Sequence, residues 1–502
     1  MYIPTQEQVN IVSAFQNGKS MKVRATAGSG KTSTLVLCAN STNDQKLYIA
    51  FNKAIAVSAA SVFPENTKCS TGHALGYRPM SLVYGRGEKL TGSLRALDIA
   101  KLLNLKALTQ VGANEFLADS TLGYLINETV KKFLQSADET ILAKHVVHYP
   151  KLDLLSAAET GDFNLRLVTA ANKVWDAMRS KDTKAPLGFD GYLKQWALTD
   201  PVIDQPVILM DEAQDLNGAM FSILQQQMGQ IVYVGDPHQQ IYSWRGAVNA
   251  MEKLDHPEYV LSKSFRFGAD IAKFATQCLL TIDPNVPTIH GHDPVPSTLV
   301  KHMHEPCTYL FRKNASMLDY ILTCKNLKNV FVQGGVTDLV RLLEALEKLD
   351  KGRKVTHPEL LGFNSLNEVR EYAEKAHANE LKRMLNIYDN NNLNDLIRML
   401  DTISSAYCPG QTVLSTAHKS KGCEWDNVVL WDDFKEQPEE GSSGSNYNKE
   451  ETRLTYVAAT RAKLNLKVPF WMQGQYGEGL IVKEHAVVKP VVPTQPFADV
   501  PF

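Results

Sequence analysis

Residues 25–32 read Ala-Thr-Ala-Gly-Ser-Gly-Lys-Thr, a run whose residue types suit a phosphate chain. Closely spaced Gly28 and Gly30, with small Ala27 and Ser29 beside them, let backbone N–H groups converge on an anion. A helix opening at about Lys31 adds the partial positive charge of its N-terminus. Lys31 then reaches the β- and γ-phosphates, Thr32 offers a hydroxyl to Mg²⁺, and Ser33 follows in the same turn. Ala25 stands where the pattern G-x-x-x-x-G-K-S/T has its first glycine. A second group of chemistry-bearing residues closes the apolar run 206–210. Asp211 is placed to hold Mg²⁺, and Glu212 to orient and deprotonate an attacking water, as phosphoryl transfer to water requires. Together these residues imply that the chain binds a nucleoside triphosphate.

The elements that position these groups follow from hydrophobic periodicity. Residues 1–20 read as a lead-in helix with Thr5 as N-cap and Gln8 in its first turns. A short strand, 21–24, enters the phosphate loop. LYIAFNK (47–53) reads as a buried strand of a parallel sheet, with Asn52 and Lys53 at its carboxyl end, where α/β sheets present ligand-binding groups. From 78 to 195 helical periodicity dominates and strand-like runs are scarce. Strands return at 206–215 and 231–247. A second set of strands is expected near 259–268, 308–314, 330–335, 411–418 and 427–433, interrupted by helical periodicity over 337–405. An acidic, Gly/Ser-rich loop follows, then a helix over 449–463.

The expected fold class is therefore α/β: two parallel-sheet domains, each with a mainly helical insertion. Residues 1–77 and 196–258 form the first sheet domain (1A), with 78–195 as its insertion (1B). Residues 259–336 and 406–485 form the second (2A), with 337–405 as a small insertion (2B), and 486–502 is a flexible tail.

Composition excludes several classes. The 502 residues are 44% hydrophobic and 21% charged, as in ordinary globular protein. No apolar run approaches the ~18 residues of a membrane span, and the N-terminus has no signal-peptide character. Seven cysteines without a C-x-x-C pair fit a reducing cytoplasm rather than a disulfide framework. With a net charge of −1, any nucleic-acid surface must be a local groove.

The strings DEAQD (211–215), VGDPHQQIYSWRGA (234–247), TAHKSKGCEW (416–425) and RLTYVAATRA (453–462) occur in an order that resembles the UvrD/Rep-type superfamily-1 DNA helicases. YIAFNKAIA, VFPENTKCSTGHALGY, GYLKQW, GDPHQQIY and SFRFG resemble, more specifically, the helicase portion of the F-box DNA helicases, with no F-box expected ahead of it here. The resemblance covers roughly residues 1–480 and implies two RecA-like domains, ATP and Mg²⁺ as cofactors, and a catalytic set of Lys31, Asp211, Glu212, Gln239, Arg266 and Arg461. In it, Gln8 reads the adenine and Phe265 stacks on it. Arg266 contacts the γ-phosphate, and Gln239 senses that phosphate and links hydrolysis to DNA. Glu424 lies near the ribose, and Arg461 is the arginine finger, contributed by the second sheet domain.

For DNA, Tyr242 and Trp244 resemble aromatics that stack on single-strand bases, contacts that tolerate any sequence. Asn52, Lys53, Thr71, His73, Thr416 and His418 resemble positions that contact the DNA backbone. Each alone also reads as a helix cap or an ordinary surface residue. The resemblance implies an ATP-dependent DNA helicase or translocase on single-stranded or tailed duplex DNA, moving 3′ to 5′, in replication, recombination or repair. A translocase that strips proteins from DNA, and an ATP-gated DNA-binding protein, are the alternatives. GDPHQ also resembles the opposite-polarity branch, but YSWRGA does not.

His290, His292, His302, His304 and Cys307 form H-x-H pairs that nothing in the sequence fixes together, so they are not read as a metal site. The chain end, PFADVPF, resembles the acidic tip of single-strand-binding proteins and suggests a weak docking contact with proteins that recognise that tip.

Overall fold

The computed structural model describes residues 3–112, 116–149, 155–241, 246–353, 355, 357–360, 363, 365–375, 378–434, 449–477 and 479–485. Tyr242, Trp244, the acidic Gly/Ser-rich loop and the 486–502 tail lie outside the described residues. The chain divides into two compact units, Met1–Arg24 with Lys31–Tyr259, and Ala25–Gly30 with Val260–Phe502.

The first unit opens with helix α1 (Gln6–Gln16), then strand β1 (Met21–Ala25), helix α2 (Lys31–Asn40), β2 (Lys46–Ala50), helix α3 (Lys53–Ala59), β3 (Thr67–Thr71) and helix α4 (Gly72–Tyr84). A hairpin of β4 (Leu108–Gln110) and β5 (Phe116–Ala118) sits among the helices that continue to Ala197. Then come β6 (Val207–Met210), β7 (Gln230–Gly235) and β8 (Glu258–Leu261). Six strands form one sheet in the order β3-β2-β6-β7-β1-β8. β2 and β6 are buried along their whole length and, apart from Lys46 at the start of β2, read as apolar runs.

Register does the positioning. Ile49 pairs with Met210, Met210 with Tyr233, and Arg24 with Gly235, all in parallel. The segments that follow these ends therefore emerge on one edge: the phosphate loop, Phe51-Asn52-Lys53, Asp211-Glu212 and Asp236–Gln239. Among the described residues, the helical stretch shares its core with the sheet. Phe133, Trp175 and Trp196 belong to one buried cluster with Leu47, Ile49, Ile208 and Met210 of the sheet.

The second unit holds a seven-stranded sheet of β9 (Thr298–His302), β10 (Thr308–Phe311), β11 (Val330–Val332), β12 (Thr412–Thr416), β13 (Trp425–Leu430), β14 (Ala462–Lys467) and β15 (Val482–His485). Their order is β11-β12-β10-β13-β14-β9-β15, and every pairing is parallel. Among the described residues, the α-helices Thr337–Asp350, Leu366–Lys375, Asn379–Asn390 and Leu393–Asp401 share a buried cluster with Phe311 and Leu414 of this sheet.

Several strands escape sequence reading. β3, β9 and β15 are polar or partly exposed, and β14 follows an apolar helix without a glycine or proline break. The helix expected over 449–463 stops at Ala459, because the chain turns at Thr460-Arg461 to enter β14.

Candidate active site

In the first unit, Lys31 opens α2 with its Nζ 3.4 Å from Glu212 Oε1. Thr32 Oγ1 donates to Asp211 Oδ2 at 3.0 Å, and the Tyr48 hydroxyl donates to the same oxygen at 2.8 Å. The Glu212 N–H donates to Asp211 Oδ1 at 2.9 Å. Asp211 is 3% exposed, and burial, followed by the neighbouring Glu212 carboxylate, pushes its carboxyl above the usual range. A dication would relieve that burial and repulsion. The hydroxyl and carboxylate donors are all hard oxygens, a set that fits Mg²⁺ and not a thiolate-seeking metal. Glu212 has φ 51° and ψ 44°, a left-handed conformation that strains a non-glycine residue by roughly 1–3 kcal/mol and persists where surrounding contacts enforce it.

Gln239 is buried, and its Nε2 donates to Asp236 Oδ2 at 2.6 Å. Gln8 is buried too and completes a reciprocal cap on α1. Its backbone N–H donates to Thr5 Oγ1 at 3.2 Å, and its Oε1 accepts from the Thr5 N–H at 3.0 Å. Its Nε2 donates to Thr34 Oγ1 at 3.0 Å, on the buried face of α2. Ser33 is exposed on the first turn of α2.

The loop Ala25–Gly30 groups by its packing with the second unit. Ala25 closes β1 as a strand residue, so the position needs no left-handed backbone and alanine serves in place of glycine. Gly28 and Gly30 have φ of 73° and 76°. A Cβ on Gly28 would stand 2.7 Å from both Arg266 Cβ and Ser264 Oγ, so this position needs glycine for conformation and for space. The Phe265 N–H donates to Gly28 O at 2.8 Å, and the Ala27 N–H donates to the Tyr456 hydroxyl at 3.0 Å. Ser29 Oγ turns back to Thr26 O at 2.8 Å. The small side chains, the turned backbone and the helix start at Lys31 fit a phosphate chain.

Phe265 is half-buried, with His292 edge-on at 5.6 Å between centroids. Arg266 pairs with Glu424 at 2.7 Å and donates to Thr460 O at 3.2 Å. Arg461 is 2% exposed, in the turn before β14 and not on a helix surface. Its Nε donates to Val457 O at 2.8 Å and its Nη1 to Cys423 O at 3.2 Å. Burial, and then the nearby Arg266 guanidinium, pushes its pKa down to about 9, which still leaves it charged at neutral pH.

The DNA candidates divide between the units. Asn52 caps α3 by accepting from the Ile55 N–H at 2.9 Å, and Thr71 caps α4 by accepting from the Ala74 N–H at 3.2 Å. Lys53 is exposed at the start of α3. His73 lies 3.4 Å from Asp190. Two aromatics that sequence reasoning passed over stand beside these residues: Phe51, 50% exposed next to Asn52, and Phe189, 55% exposed with its ring 6.5 Å from His73. Their signal was a large apolar residue at a strand end and one next to an acid at a helix start. In the second unit Thr416 ends β12 and is buried, and half-buried His418 follows it.

Register separates these residues from the charged group in the same unit. Phe311 pairs with Thr416, and Leu310 with Leu430, at the carboxyl edge of the sheet, whereas Trp425 pairs with Ala462 at its amino edge. Thr416 and His418 thus leave one edge, while Glu424 and Arg461 enter at the other. Among the described residues, no group of three or more His, Cys, Asp or Glu is arranged to hold a metal ion.

Two family profiles match the chain: the UvrD/REP helicase N-terminal domain over residues 101–257 and the UvrD-like helicase C-terminal domain over residues 334–472, together more than half of it. The chain belongs to the UvrD-type superfamily-1 helicases, whose two parallel-sheet domains and use of ATP agree with the fold and the phosphate loop above. It is similar to F-box DNA helicase 1 of Gallus gallus, 29% identical over 497 residues that cover 91% of this chain and 48% of that protein. It is also similar to F-box DNA helicase protein 1 of Schizosaccharomyces pombe (strain 972), 31% identical over 506 residues, 92% of this chain and 57% of that one. The chain spans about half the length of these curated relatives. No helix among the described residues is long and apolar enough to cross a membrane.

Proposed function

We propose that the chain is an ATP-driven, Mg²⁺-dependent motor that moves 3′ to 5′ along single-stranded DNA and separates duplex DNA, in replication, recombination or repair. The observation that carries this reading is the meeting of Lys31, Thr32, Asp211 and Glu212 within the first unit, a phosphate-binding cation and hydroxyl beside two carboxylates. Residues 1–77 with 196–258 and 259–336 with 406–485 serve as the two motor domains, with 78–195 and 337–405 as their insertions. The relatives' names supply the DNA substrate.

In this reading Lys31 neutralises the phosphates, Thr32 and Asp211 hold Mg²⁺, and Glu212 takes the proton of the attacking water. Arg266 and Arg461 offset the charge that develops on the transferred phosphoryl group. Gln8 and Phe265 hold the base, and Glu424 the ribose. Asn52, Lys53, Thr71, His73, Thr416 and His418 contact the DNA backbone, while Tyr242 and Trp244, with exposed Phe51 and Phe189, offer stacking faces for bases.

The test is ATP hydrolysis with and without single-stranded DNA, paired with unwinding of 3′-tailed and 5′-tailed duplexes. Stimulation by DNA and preference for the 3′ tail are expected. Hydrolysis at full rate without DNA would contradict a motor role. Displacement of bound protein without strand separation would point to a stripping translocase, and preference for the 5′ tail would reverse the polarity.

A further inference from the structure

Gln214, the fourth residue of the DEAQD string, is completely buried in the turn that follows β6. Both ends of its amide are engaged. Nε2 donates to Glu212 Oε2 at 2.6 Å and, more weakly, to Asp215 Oδ2 at 3.3 Å. Oε1 accepts from the Asp236 N–H, just past β7, at 3.0 Å. The amide can have only this orientation, because carboxylates need the NH₂ group and a backbone N–H needs the carbonyl. Asp236 continues the chain of contacts: Oδ2 accepts from Gln239 Nε2 at 2.6 Å, and Oδ1 accepts from the His238 N–H at 3.1 Å.

The approach is possible because residue 235 is glycine. A Cβ there would stand 2.4 Å from Gln214 Oε1 and 3.1 Å from the Ala213 nitrogen. The spacing of β6 and β7, with Met210 opposite Tyr233, sets the gap that one glutamine side chain spans. With Oε2 of Glu212 held by Gln214, its Oε1 stands beside Lys31.

We propose that Gln214 is a positioning residue that fixes the Glu212 carboxylate and ties it to the turn carrying Gln239, so that movement of that turn is transmitted to the residue that activates water. This deepens the function proposed above and rests on Glu212 acting as the base. The glutamine is wholly enclosed by protein. It acts through Glu212 on one side and Asp236 on the other, and a buried amide bridge has no slack to absorb a shift of either partner.

The experiment compares wild type with Gln214→Met, which keeps the shape and removes all three hydrogen bonds. Gln214→Glu is the second variant; it keeps the acceptor for Asp236 and replaces the donor with a carboxylate facing Glu212. Each is measured for kcat and KM of ATP hydrolysis, with and without single-stranded DNA, for binding of a fluorescent ATP analogue, and for thermal midpoint. Glu212→Gln runs alongside.

The expected result is a kcat lowered ~10–100-fold, as for lost oriented hydrogen bonds at a reacting group. KM and analogue binding stay within about twofold, and stimulation by DNA is largely lost. A role in folding alone would lower the midpoint and leave that kinetic split unseen in the folded fraction. If Gln214→Met does not fold, Gln214→Glu decides. Wild-type kcat in either folded variant, or a fall in kcat matched by weaker ATP binding, overturns the inference. If Glu212→Gln itself hydrolyses ATP at the wild-type rate, the reading of Glu212 as the base fails instead, and the two failures are distinguished.

Discussion

Arg266 and Glu424 meet at 2.7 Å in the second unit, and the same guanidinium reaches the carbonyl of Thr460, the residue before Arg461. One side chain thus clamps the starts of β13 and β14, where Trp425 N–H donates to Arg461 O at 2.9 Å. Glu424 is 42% exposed, so this ion pair contributes at most about 1 kcal/mol to stability. Arg266→Ala should leave the thermal midpoint within a few degrees of wild type. If Arg266 meets the γ-phosphate, kcat should fall ~10³-fold. Calorimetry and steady-state ATPase assays on the same preparation check both halves.

Lys31→Ala removes the cation from beside Glu212. Hydrolysis should drop at least ~10³-fold, and the rise in thermal midpoint that ATP with Mg²⁺ gives wild type should vanish, because that rise reports binding to the folded state alone. A retained ligand-induced shift would show that the phosphate loop binds without its lysine.

Two glycines separate conformation from contact. Gly28 and Gly335 share nearly the same φ, 73° and 72°, but a Cβ on Gly335 would meet nothing within 4 Å. Gly335→Ala should cost about 1 kcal/mol in backbone strain. Gly28→Ala carries that strain plus the clash with Arg266 and Ser264, and should cost ~2–4 kcal/mol. Thermal midpoints of the two variants test the difference.

Lys194 is buried at 1% exposure, donates to Ser136 O at 2.9 Å and lies 4.5 Å over the Phe133 ring. Burial pushes its ammonium down to about 8. A base with a depressed folded pKa contributes stability above its unfolded pKa and loses it as pH falls through the folded value. The penalty for the charged form is therefore full below pH 8 and is relieved as pH climbs toward the ordinary lysine value near 10.5. Relative to Lys194→Met, wild type should gain ~1–2 kcal/mol between pH 7 and 10, after allowance for solvent screening. Midpoints of both proteins across that range measure it.

The turn into a helix at residues 25–32 was legible because it resides in residue types at fixed spacing: two glycines, a lysine and a hydroxyl where a helix begins. Asp211-Glu212 was legible for the same reason, following a strand buried on both faces. The cap at Thr5 was visible, but not that Gln8 closes it from the other side. Arg461 read as part of a helix, since nothing local marks the turn into β14. Its burial depends on carbonyls of Val457 and Cys423, the latter from a distant segment.

The amino-acid sequence by itself determined the local chemistry and the alternation of apolar runs with helical stretches, because both depend on neighbours along the chain. Tertiary structure decided what strand pairing alone can set. It aligned the ends of β1, β2, β6 and β7, so that Lys31 meets Glu212 across a long stretch of intervening chain. It put Thr416 and Arg461 on opposite edges of one parallel sheet. It also set the gap between β6 and β7 that the Gln214 amide bridges, since that gap depends on the register of strands distant in sequence.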